Sequence, residues 1–102
     1  MAKPREIERP LSPYNAVLYG QIVNLELALL ECNQMGIDVE RVDYTDFKRP
    51  RLVVRDNYVT QQMMRHGKAN NYGCKLRNGH RIYLNHAEVK GVRIIWEANS
   101  FN

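Results

Sequence analysis

The 102-residue sequence predicts an α+β fold, with one long N-terminal helix packed on a small antiparallel sheet in the order α-β-β-α-β-β-β. Three observations carry this reading. An unbroken helical run is closed at both ends by residues that start and stop helices. The remainder is punctuated into short runs rich in β-branched and aromatic residues. Between two of those runs stands Asn78-Gly79, the strongest short hairpin signal, because a type I′ turn needs positive φ at both central positions.

Residues 1–12 read as an extended arm, interrupted by Pro4 and Pro10, with Ile7 and Leu11 as its large apolar groups. A single α+β domain over 13–102 follows, a common single-domain size. Ser12 is a good N-cap and Pro13 suits the first helical position, where its missing N–H costs nothing. Gly36 can take the left-handed conformation that ends a helix, with Ile37 folding back on Cys32. The helix therefore spans Pro13 to Met35, roughly 34 Å at 1.5 Å per residue.

At 100° per residue this helix has two apolar faces. Tyr14, Val17, Leu18, Ile22, Leu25, Ala28, Leu29 and Cys32 lie on the first, where Leu18, Ile22, Leu25 and Leu29 are expected to cover the sheet. Ala16, Tyr19, Val23, Leu27 and Leu30 lie on the second, nearly opposite. A helix resting on a domain needs one apolar stripe, so the second face is expected to be a dimer interface.

Val39 to Tyr44 and Leu52 to Arg55 read as strands. Asp56 or Asn57 caps a short helix through Val59, Met63 and Met64 that ends at Gly67, and residues 68–71 form a loop. Cys74 to Arg77, His80 to Asn85 and Val92 to Glu97 then form an antiparallel meander.

Two cysteines are too few for a disulfide scaffold, the charged N-terminus has no apolar core behind it, and no apolar run approaches a membrane span. A cytoplasmic protein without a membrane role is the expectation. His66, Cys74, His80 and His86 have none of the close spacings of a zinc site, so neither a metal nor another cofactor is expected. With a two-residue turn, Cys74 faces Tyr83, and His80 faces Arg77, which makes a poor nucleophile–base pair. No phosphate loop, nucleophile elbow or carboxylate pair is present, so enzymatic activity is disfavoured.

Charge is unevenly distributed. Residues 1–40 hold three Lys or Arg against six Asp or Glu, whereas residues 41–102 hold twelve against five. The second part is where an anionic partner would bind. Lys48, Arg49, Arg51, Arg55, Lys75, Arg77 and Arg81 are candidate phosphate contacts, with Tyr72 and Tyr83 as stacking groups on a DNA or RNA strand. The same charges would also serve as solvated edges that block sheet aggregation.

The segment Tyr72-Gly73-Cys74-Lys75-Leu76-Arg77 with Arg81-Ile82-Tyr83 resembles the core hairpin of ribosome-dependent toxin nucleases. The likeness ends there, since this chain opens with one long helix and lacks a basic C-terminal tail; no membership follows. The function expected from the sequence is a non-enzymatic, oligomeric binding protein whose basic sheet and hairpin face meets nucleic acid. The alternative is a protein-binding adaptor or inhibitor, of the phage or plasmid accessory type, docking through the second helix face or the arm.

Overall fold

The structure is a computed structural model that describes residues 9–100, so most of the arm expected over 1–12 lies outside the described residues. Its elements are α1 (Pro13–Met35), β1 (Val39–Asp43), β2 (Arg51–Val54), α2 (Tyr58–Arg65), β3 (Asn70–Arg77), β4 (His80–Val89) and β5 (Val92–Ala98). The α+β class and the element order are those the sequence predicts.

Both ends of α1 are closed as expected. The Ser12 hydroxyl accepts from the Asn15 N–H at 3.2 Å. At the other end Gly36 sits at φ 87°, and the Ile37 N–H donates to the Cys32 carbonyl at 2.8 Å. Asn57 caps α2 through a capping box with Thr60, and its side-chain amide donates to the Gly36 carbonyl at 2.9 Å, tying the start of α2 to the end of α1.

The five strands run in the order β1-β2-β5-β4-β3. β3, β4 and β5 form the expected antiparallel meander, joined by turns in which Asn78 and Gly79, then Lys90 and Gly91, all have positive φ. The sheet is mixed rather than wholly antiparallel, because β5 lies beside β2 and runs parallel to it. Two local boundaries also differ from expectation. β3 begins at Asn70, inside the expected loop, and β4 continues to Val89. The loop-like polar run survives as strand because Asn71 is pinned to a bulge: its amide donates to the carbonyls of Gly73 at 2.9 Å and Leu84 at 3.1 Å.

One sheet face forms the core. Leu52, Val54, Ala87, Val89, Val92, Ile94 and Trp96 pack there with Leu25, Ala28 and Cys32 of α1, Met63 of α2 and Ile37. The helix residues expected to cover the sheet are only partly correct. Leu25 is buried, but Leu18, Ile22 and Leu29 remain 52%, 50% and 46% exposed. Within that first face the contact is made by Leu25, Ala28 and Cys32, spaced three and four residues apart in the C-terminal half of α1. The small Ala28 and Cys32 are fully buried, which lets the helix sit close to the sheet and leaves the flanking leucines off it.

Candidate functional site

Strand alternation sorts the candidate residues onto two faces. Lys75 pairs with Ile82 and Arg77 with His80, so all four project from the open face of the sheet, away from α1. Cys74 pairs with Tyr83 and Leu76 with Arg81, and these project from the helix-bearing face. Cys74 and His80 therefore stand on opposite faces, as the hairpin register implies. Tyr72, the extra residue of the bulge, packs edge-on against His86 at 5.0 Å on the open face, so the two candidate stacking tyrosines lie on opposite sides of the sheet.

The seven candidate cations also divide along the sheet. Lys48, Arg49 and Arg51 sit at the end that carries the β4–β5 turn, and Arg55, Lys75, Arg77 and Arg81 lie toward the opposite end. Along β4 the two groups are roughly 20–26 Å apart, from six to eight residues at about 3.3 Å each.

At the hairpin end two carboxylates are each shared by two cations. Glu97 accepts from Lys75 at 2.7 Å and pairs with Arg77 at 3.0 Å. These hydrogen bonds outweigh its partial burial and hold the Glu97 carboxyl below the ordinary range, the Lys75 bond contributing most. Arg55 lies 3.7 Å from Glu40, which also pairs with Arg41. Arg81 has no ion pair among the described residues.

At the other end, the segment between β1 and β2 is built by two aspartates. Asp43 accepts from the Thr45 hydroxyl at 2.6 Å, from the Thr45 N–H at 3.1 Å and from Arg51 Nε at 3.1 Å. The Thr45 bonds, followed by Arg51, lower its carboxyl to about 2. Asp46 accepts from the Lys48 N–H at 3.0 Å. Gln21 of α1 then fastens the segment to the helix, donating to the Phe47 carbonyl at 3.0 Å. The result is an open hollow of about 560 Å³ whose rim carries Lys48, Arg49, Arg51 and Arg93 against Asp46 and Glu88. Lys48, Arg49 and Arg93 have no ion pair among the described residues, although Asp46 and Glu88 stand on the same rim. Arg93 was not among the candidates from sequence. Its place beside Arg51 depends on the parallel pairing of β2 with β5, which no local signal announces.

Of the histidines, His66 ends α2, exposed. Burial, then the charge of Arg93, push the His86 imidazole below its ordinary value. Among the described residues no three His, Cys, Asp or Glu side chains gather as a metal site would need.

The largest exposed feature is α1 itself. Tyr14, Val17, Leu18, Tyr19, Ile22, Leu27, Leu29 and Leu30 are between 46% and 88% exposed. The expected interface residues are all accessible: Ala16, Tyr19, Leu27 and Leu30 are exposed and Val23 is half-buried. Among the described residues no helix is long and apolar enough to cross a membrane.

No solved structure matches this chain. A Haemophilus influenzae protein described as "Uncharacterized protein" is 49% identical over 89 residues, covering 87% of this chain and 85% of that protein. A family model described as "Uncharacterised protein" matches residues 5–99, and the chain belongs to that family.

Proposed function

We propose that this chain is a binding protein that works as a homodimer built on α1. The observation that supports this is the mismatch between how much apolar surface α1 carries and how little of it the domain uses. Three of its side chains are buried, while eight large apolar ones stay about half exposed or more. At about 150 Å² for a large side chain, these eight present on the order of 600 Å² of apolar surface. Spread around the helix rather than gathered in one patch, this total approaches the ~800 Å² per partner of a standard interface, and Tyr19, Leu27 and Leu30 are the part of it on the second face. The deciding experiment is sedimentation of the wild-type chain beside Leu27→Glu. A wild-type dimer that becomes a folded monomer on substitution supports the reading. A wild-type monomer overturns it and leaves the helix face to a different protein, the adaptor alternative.

A second reading concerns nucleic acid. Lys48, Arg49 and Arg93, free of ion pairs among the described residues and gathered on one concave rim, favour the hollow beside α1 as the place where a phosphate backbone would lie. This narrows the contact expected from sequence, because Lys75 and Arg77 are already held by Glu97. Binding through phosphates weakens steeply with salt, so an oligonucleotide titration across salt concentrations tests it directly.

A further inference from the structure

Resting on the homodimer reading, we infer that the second copy lies antiparallel on α1, with the two-fold axis passing at Val23. The accessible face of Ala16, Tyr19, Val23, Leu27 and Leu30 has spacings of three, four, four and three, which read the same in both directions. Ala16 and Leu30 each lie seven residues from Val23, and Tyr19 and Leu27 each lie four. An antiparallel pair centred there sets Ala16 against the partner's Leu30 and Tyr19 against the partner's Leu27. A small residue meets a large one at each end, the complementarity a self-matching surface needs. The seam runs about 21 Å, from fourteen residues at 1.5 Å each.

Charge selects the same direction. α1 contains no Lys or Arg, and its acidic residues, Glu26 and Glu31, are both in its C-terminal half. A parallel pair in register would bring each glutamate level with its own copy, and like charges at close range repel. In the antiparallel pair Glu26 comes level with the partner's Gly20 and Glu31 with the partner's Asn15, both uncharged. The helix macrodipoles also oppose, so each N-terminus lies beside the partner's acidic half. The spacing from Ala16 to Leu27 is eleven residues, a repeat of 3.67 per turn, which gives the pair a right-handed twist.

The arrangement stacks the two domains back to back. Leu25, Ala28 and Cys32 face one copy's sheet, while Val23 and Leu27, roughly opposite on the helix, face the partner. The cationic hollow beside Gln21 lies on the sheet side of α1 and stays outside the seam.

The test uses single cysteines introduced into a Cys74→Ser chain, since Cys74 is the exposed native thiol and Cys32 is buried. Under mild oxidation Val23→Cys should cross-link to itself. Tyr19→Cys and Leu27→Cys should each stay uncross-linked alone, because the antiparallel copies of either position are about 12 Å apart along the axis, beyond the ~7 Å reach of a disulfide. Mixed together, these two variants should form a heterodimeric cross-link. Circular dichroism of each variant confirms that it folds. Self-cross-linking at Tyr19→Cys and Leu27→Cys would overturn the inference in favour of a parallel pair. A sedimenting dimer with no cross-link at any of these positions would overturn the register while sparing the homodimer. A monomeric wild-type chain would remove the homodimer itself.

Discussion

Replacing Leu27 by glutamate separates what α1 does for its own domain from what it does for a partner. Leu27 is 51% exposed and is not part of the buried core, and Leu and Glu have similar helix propensities. Within one copy the substitution should therefore change stability by no more than about 0.5 kcal/mol, as at other exposed sites. In the dimer the loss is much larger. A fully buried leucine is worth about 1.5–3 kcal/mol, so covering the exposed half contributes on the order of 1 kcal/mol per copy and 2 kcal/mol for the symmetric pair. Leaving two carboxylates in an apolar seam adds at least about another 1–3 kcal/mol. A total of 3 kcal/mol or more weakens dimerisation by upwards of about a hundredfold. Analytical ultracentrifugation over a wide concentration range, with melting curves of the same samples, reads both effects. If Leu27→Glu stays dimeric, the seam is elsewhere. If it unfolds at every concentration, either Leu27 supports the monomer core, contrary to its exposure, or the dimer is obligate.

Other expectations follow from the charged groups and thiols. Lys48→Glu with Arg49→Glu should abolish oligonucleotide binding at low salt, while Glu97→Gln, which releases Lys75 and Arg77, should strengthen it if the hairpin end also contacts phosphates; mobility shift reads both. In the native protein one thiol, Cys74, should react with a thiol reagent. Cys32, fully buried and with its thiol pushed up first by burial and then by Glu31, should react only after denaturation. Asp43, lowered from 3.8 to about 2, contributes stability that is present above pH 3.8 and lost as the pH falls toward 2. Asp43→Asn should therefore cost about 1 kcal/mol near neutral pH and flatten that part of the acid-unfolding curve.

The features legible in the sequence are those fixed by neighbours along the chain. Ser12-Pro13 and Gly36-Ile37 bound α1 because capping bonds reach only three to five residues, and Asn78-Gly79 places the hairpin because positive φ is a property of the residue itself. The register that sets Cys74 against Tyr83 follows from that turn alone. The excess apolar surface of α1 was likewise readable from periodicity. Which part of it meets the sheet was not, because Leu18, Leu25 and Ala28 differ little in pattern, and close approach at Ala28 and Cys32 depends on the shape of the surface below. Sheet order was equally hidden. β5 enters between β2 and β4 because that position buries Ile94 and Trp96 in the core to which both helices contribute, a gain summed over the whole core. That one placement brings Arg93 beside Arg51 and carries Glu97 to Lys75 and Arg77. Local sequence decides which residues are charged, but the long-range pairing of strands decides which of those charges remain unpaired.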